Sequence, residues 1–402
     1  MQLIKRILGI NNISKMAIIT FFANLYFYNH VGTLYLQTRG LSLLQVSSIW
    51  SIIMAASLLS EVPTGIIADK IGRKWSVVIA LAIQALGEFL YLFSSNYQAF
   101  VLIAILAGVG YAFSSGASEA LVYDSLPEEN RESLMKKASG HIGGLYQMAF
   151  FVAPILGGLI VSQLILSKFM LAIFLTGISV TVAFLISLTL AEPHKNYHHP
   201  EQSPLQIFKG GLKLLLTHKR LQWIVAISVL TASFSGSLLS LYQPYFVQQG
   251  IKSSFWIGAS LSGASLIAFM LLRYAHKIEE IIGGGWALLL VSLLPGIGYV
   301  LLSVTKAPLI IPLFIMTFAL TDIKNPLISS YQNANIESHN RATVLSLISM
   351  VSKFYVAIMG LVFGRIADYS ISLALLSIGV MIVAFSLILK THKYAYSGIK
   401  TS

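Results

Sequence analysis

Several ionisable side chains fall inside otherwise apolar runs: Glu88, Asp322, Lys324 and Lys353, with His30, His141 and Glu61. Charge in hydrocarbon is costly, and groups retained there usually serve ion, proton or substrate paths. Asp322 and Lys353 are expected at matching depths on neighbouring helices. Two readings stand for them: a static ion pair that neutralises both, or a pair opened by a proton or a substrate. Lys324 precedes Asn325-Pro326, which should interrupt its helix. Glu88 reads as a coupling acid or as one that snorkels to the interface. The histidines could relay protons or simply be packed polar groups. The proton-coupling candidates are therefore Asp322, Lys353, Glu88 and His141. Glu61, before Val62-Pro63-Thr64-Gly65, reads as structural or as part of the loop that follows its span.

Aromatic and amide groups form the second chemical set. One run carries Phe22, Asn24, Tyr26, Tyr28, Asn29, His30 and Tyr35, and a later one ends in Tyr242, Gln243 and Tyr245. Aromatic walls with a few amides suit amphipathic or cationic organic solutes. Interfacial anchoring explains those near run ends equally well. The substrate-cavity candidates are Tyr26, Asn29, Tyr111, Gln147, Tyr242 and Gln243. No catalytic or nucleotide-binding motif is present, and the chain has no cysteine. No cofactor or metal site is expected. His194, His198 and His199 sit in a polar stretch without clustered acids and read as a solvated linker.

The elements that must carry these residues follow from composition. Of 402 residues, 56% are hydrophobic and 10% charged, with mean hydropathy +0.78. A soluble domain carries about 25% charged residues, so a soluble enzyme, a nucleic-acid binder and a disordered chain are excluded. A membrane helix needs about 20 apolar residues. Hydropathy breaks predict twelve spans, near 16–37, 43–68, 75–95, 97–122, 138–162, 169–191, 221–246, 254–272, 285–304, 308–330, 342–367 and 370–389. The first is read as a retained span, not a cleaved leader. Leu3, Ile4, Ile7 and Leu8 suit a short interfacial helix before it. The net charge of +12 reflects loops: one side collects most of the 27 Lys and Arg, the other only Arg39, Lys168, Lys252 and Lys306. That bias predicts both termini in the cytoplasm.

The expected organisation is a bundle over 1–191, a cytoplasmic linker over 192–220, and a second bundle over 221–402 with a short tail. Asn130-Arg131 before the fifth span matches Asn340-Arg341 before the eleventh, which suggests a duplicated half, as in many transporters.

Between the second and third spans the chain reads Gly65-Ile-Ile-Ala-Asp69-Lys70-Ile-Gly72-Arg73-Lys74. A small residue at Gly65 permits close helix approach, and Gly72 permits a tight turn. This G-x-x-x-D-x-x-G-R-K loop resembles the signature of the major facilitator superfamily. The resemblance spans nearly the whole chain. It implies an all-α membrane protein of twelve transmembrane helices in two pseudo-symmetric six-helix bundles, with the first, fourth, seventh and tenth spans lining a cavity. It also implies a cytoplasmic gating latch of Gly65, Asp69, Gly72, Arg73, Lys74 and Asp124. There, Arg73 pairs with Asp124 at the end of the fourth span, and Asp69 approaches the start of the eleventh. The equivalent loop of the second half, Arg273 to Glu280, lacks the motif's core.

The fifth span reads Gly144, then Ala153-Pro154-Ile-Leu-Gly157-Gly158. It resembles the antiporter signature of drug-exporting members, with Ala153 replacing a glycine. Pro154 should bend the helix and the glycines should admit close neighbours; packing alone would also explain them. One departure stands out. Drug:proton antiporters often carry an arginine four residues before a glycine in the fourth span, where this chain has Ala104 before Gly108.

The resemblance thus implies a proton-coupled exporter of small amphipathic compounds or drugs, in the inner membrane of a bacterium, monomeric, without a nucleic-acid partner. A dedicated carrier of one solute, such as a sugar, siderophore or amino-acid derivative, is the second reading. A non-transporting membrane enzyme or receptor is the third.

Overall fold

The computed structural model describes residues 11–193, 215, 219–336 and 341–389. The linker histidines and the segment carrying Leu3 to Leu8 lie outside them. Among the described residues there are helices and no strands. Ten helices are long and apolar enough to cross a membrane. A shorter apolar helix, Asn12–Ala23, stands where the first span is expected, and Ile310–Asn335, apolar over Ile310–Thr321, stands at the tenth and runs on through Asn325-Pro326 without the expected interruption. All twelve expected positions are therefore filled by helix. Large apolar side chains such as Leu59, Phe93, Leu102 and Ile388 face outward, as lipid-facing surfaces require.

Contacts divide the chain into two units. The first comprises Met1–Leu41, Ile52–His199 and Ser253–Ser262; the second comprises Ser42–Ser51, Pro200–Lys252 and Gly263–Ser402. Two short segments thus belong with helices far away in sequence. In the second unit, the amides of Leu43 and Leu44 donate to Asp368 Oδ1 at 2.7 and 3.3 Å, and Ser51 Oγ donates to Ala357 O at 2.8 Å. In the first unit, Ser262 Oγ donates to Phe151 O at 2.6 Å.

The pairing inside the units repeats after six spans. In the first, span one packs on spans five and six, and span three on spans four and six. In the second, span seven packs on eleven and twelve, and span nine on ten and twelve. The third span, Arg73–Phe93, and the ninth, Gly284–Val304, are both 21 residues long. Each follows a glycine in the left-handed region, Gly72 at φ 97° and Gly283 at φ 78°, where a side chain would be strained. Trp75 and Trp286 stand three residues after those glycines, Gly87 and Gly298 fifteen, and Glu88 and Tyr299 sixteen. The repeat is therefore far better marked here than at Asn130-Arg131.

Two spans expected to be continuous are broken at matching places. The first runs over Asn12–Ala23 and resumes as a 3-10 turn at Asn29–Val31 and a helix at Gly32–Thr38. The seventh runs over Lys219–Leu230 and resumes at Ser235–Gln248, with Phe234 at φ 49°. Non-helical backbone at membrane depth must find partners within the protein. At the first break, Phe27 N donates to Thr176 Oγ1 at 3.1 Å. Ser179 Oγ donates to Phe22 O at 2.7 Å, and Gln84 Nε2 to Ala23 O at 3.1 Å. Polar residues of the third and sixth spans thus supply what the interrupted helix cannot.

Candidate functional site

At the first break the tyrosines gather around one carboxyl. Tyr28 Oη donates to Glu88 Oε2 at 3.0 Å, and Tyr26 lies beside Tyr28 with its ring edge-on to it. Tyr26 Oη also accepts from Gln84 Nε2 at 2.9 Å. Tyr28 stacks on Tyr91 with centroids 5.6 Å apart, and Tyr26 meets Tyr28 edge-on at 5.8 Å. Glu88 is only 8% exposed. Among the described residues no Lys, Arg or His pairs with it. Buried carboxyls ordinarily have a cation partner or a proton. Glu88 is turned to the break in the first span and does not snorkel outward.

Its repeat equivalent solves the same structural problem differently. Tyr299 Oη donates to Ser233 O at 2.9 Å and Phe234 O at 2.8 Å, closing the second break with neutral hydrogen bonds. The second break carries its own buried charge from another helix: Lys324, 4% exposed, donates from Nζ to Thr231 Oγ1 at 2.8 Å.

The Gly65–Lys74 loop motif is assembled within the first unit. Arg73 Nε and Asp124 Oδ2 pair at 2.9 Å. Glu192 adds a contact that sequence reading missed. Its Oε1 accepts from Arg73 N at 2.8 Å and its Oε2 from Lys74 N at 2.9 Å. The carboxylate thereby caps the positive end of the third span. A Cβ on Gly72 would lie 2.6 Å from Glu192 Oε1, so the glycine is needed both for its φ and for this approach. Asp69 is exposed, Lys74 lies over the Trp75 ring, and a Cβ on Gly65 would meet open space.

The fifth-span motif packs rather than reacts. Ala153 and Pro154 are buried. Gly157 lies so close to Phe27 O of the first break that a Cβ would collide. Gly158 meets Phe255 Cα, where a Cβ would come to 2.8 Å, and Gly258 abuts Pro154 O. Gly144 has open space beside it. Buried His30 completes this seam, with Nε2 2.9 Å from Ser254 Oγ.

The remaining candidates are scattered. Tyr111 is 49% exposed. Asn29, Gln147, Glu61 and Lys353 are half-buried, and His141 is exposed. Tyr242 is buried and stacks on Phe314 at 4.3 Å. Gln243 is buried, donating to Leu239 O at 3.0 Å. Asp322 is helical, but its side chain lies outside what is described. Tyr28 and Gln84 were not singled out as site residues; the register between the third and ninth spans was the signal that would have drawn attention to Glu88 and its neighbours.

The family model of the Major Facilitator Superfamily matches residues 16–358. The chain belongs to that superfamily. It is an integral membrane protein and, by family, a transporter. The MFS-type transporter YxaM of Bacillus subtilis (strain 168) is 25% identical over 365 residues, 90% of this chain and 89% of that one. Quinolone resistance protein NorA of Staphylococcus aureus (strain MRSA252) is 24% identical over 269 residues, 63% of this chain and 64% of that one. Among solved structures, the nucleoside transporter NupG superposes with TM-score 0.72 at 16% identity, covering 94% of this chain and 97% of that one. A bacterial homologue of the lysosomal transporter Spinster gives 0.72 at 13%, covering 97% and 96%. At these identities the structural likeness shows the fold alone.

Proposed function

We propose that this transporter exports small amphipathic organic compounds in exchange for protons by alternating access. The observation that carries this reading is Glu88. A buried carboxyl bonded to the Tyr28 hydroxyl, with no cation paired to it among the described residues, suits reversible protonation. Protonation removes the burial cost of the charge, and opening toward water restores the ion. The proton binds to a Glu88 carboxylate oxygen from one side of the membrane and leaves from the same oxygen to the other. The name of the NorA relative supports a drug-like cargo. Asp322 and Lys353 remain candidates for a second coupling step.

The loop of Gly65, Asp69, Gly72, Arg73, Lys74 and Asp124 acts in this reading as the cytoplasmic latch. Glu192 holds the start of the third span while Asp69, exposed, is available to a partner group in another state. Both termini lie in the cytoplasm.

The test is transport by proteoliposomes with an imposed pH gradient, assayed with a fluoroquinolone and a panel of amphipathic amines. Gradient-driven accumulation that stops when an ionophore collapses the gradient is expected, and Glu88→Gln should abolish it. Accumulation unaffected by the collapse would rule out proton coupling. Movement of one solute class alone would redirect the reading to a dedicated carrier.

A further inference from the structure

Spans two and eleven end on a shared Gly-x-Ile-Ala-Asp pattern. Gly65-Ile-Ile-Ala-Asp69 closes Leu43–Ile71, and Gly364-Arg-Ile-Ala-Asp368 closes Arg341–Tyr369, both helices of 29 residues. The likeness stops at the aspartate: Tyr369-Ser370 stands where the first copy runs into Lys70-Ile-Gly72-Arg73. The copies are nine spans apart, an odd number, so their helices cross the membrane in opposite directions and the two aspartates belong to opposite faces. A carboxylate at the negative end of its own helix is unfavourable. Each is better placed against the positive end of another helix.

Asp368 is so placed. Its Oδ1 accepts from Leu43 N at 2.7 Å and from Leu44 N at 3.3 Å, the first amides of span two. That helix start already has a cap of its own. Gln45 N donates to Ser42 Oγ at 3.3 Å and Ser42 N to Gln45 Oε1 at 3.0 Å, a reciprocal capping box. Asp368 is therefore not what makes the helix begin; it ties a finished start to span eleven. The seam beside it is close. A Cβ on Gly364 would lie 2.6 Å from Ser47 Oγ, and one on Gly360 3.7 Å from Ser51 Oγ, which donates to Ala357 O at 2.8 Å. Asp368 is exposed, so water can replace it on the amides when the helices part. The span-two copy stands in the opposite condition. A Cβ on Gly65 would meet open space, and among the described residues exposed Asp69 makes no hydrogen bond or ion pair.

We infer that Asp368 is a gating clasp, an inverted counterpart of the proposed Asp69 latch, whose carboxylate holds the start of span two against span eleven in one state of the transport cycle and lets it go in the other. This deepens the alternating-access reading and rests on it. The two carboxylates work in opposition, so removing either one shifts the protein toward the state that the other holds.

The chain's lack of cysteine makes labelling the test. Ser47→Cys reports on the seam itself, and Ser254→Cys, buried at the start of span eight, reports from another helix. Spans two and eight both start at the face where span eleven ends. A membrane-impermeant maleimide is applied from that face to the full-length protein in vesicles, with no substrate and no gradient. In variants whose melting temperature verifies folding, Asp368→Ala should speed labelling at both sites by about fivefold, the scale of one lost cap acting on a two-state equilibrium. Asp69→Ala should slow it by a similar factor. Faster labelling at Ser47→Cys alone would make Asp368 a local cap and overturn the clasp, as would shifts of the same sign from both variants. Sites that stay unlabelled in the parent and in every variant would remove alternating access, and the clasp with it. Both expected shifts in a protein that exports no drug would remove the export reading and leave the clasp standing.

Discussion

The third and ninth spans are the same helix built twice, and they differ at one position on which the proposed function rests. Both are 21 residues long, both start after a left-handed glycine, and both carry the tryptophan and second glycine in register. Sixteen residues after the first glycine, one carries Glu88 and the other Tyr299. Tyrosine at this place satisfies two backbone carbonyls. Glutamate satisfies none and brings a burial cost. An expensive residue stands where a cheap one suffices, which is the ground for the export reading, and the repeat supplies the control that a single helix lacks.

Substitutions in the ninth span test that contrast. Tyr299→Glu should be the most damaging. It removes the donor to Ser233 O and Phe234 O and sets an acid against those oxygens, at a cost of about 3–5 kcal/mol, as for other uncompensated buried charges. A large fall in detergent melting temperature and in yield is the readout. A variant as stable as the parent would mean the two breaks are interchangeable and the contrast empty. Tyr299→Phe should cost less, about 1–3 kcal/mol for carbonyls left without their donor. It should lower the melting temperature while the pH dependence of transport stays as in the parent. A shifted pH profile would place the coupling chemistry in the second half.

The smallest effect on stability is expected at the loop. Arg73 and Asp124 are 29% and 31% exposed, so water screens them and Asp124→Asn should change stability by about 0–1 kcal/mol. Turnover should nevertheless fall with amine binding intact, if the pair belongs to a latch. Unchanged turnover would reduce it to an ordinary surface pair.

The spans, their order and the loop motif were legible in the sequence because apolar length and glycine spacing report them directly. The breaks at Asn24 and Thr231 were not. Both lie inside runs whose summed hydropathy still reads as one span, and what holds them open, Thr176, Ser179, Gln84 and Tyr299, lies on other helices. Arg73 and Asp124 could be paired from the motif, whereas Glu192 could not, because its partners are backbone amides that carry no sequence signal. Gly157 and Gly158 were readable as small residues; that Gly157 abuts the carbonyl of Phe27 was not, since only the packed structure brings those two segments together.

Glu192 also fixes where the first half of the chain lets go. Both of its carboxylate oxygens are engaged by the amides that begin the third span, so the polypeptide departs from an anchored post instead of a fraying helix end. Cutting sites, reporter insertions and joints for circular permutation belong just beyond Pro193, where a graft would tug on that post and leave the sixth span undisturbed.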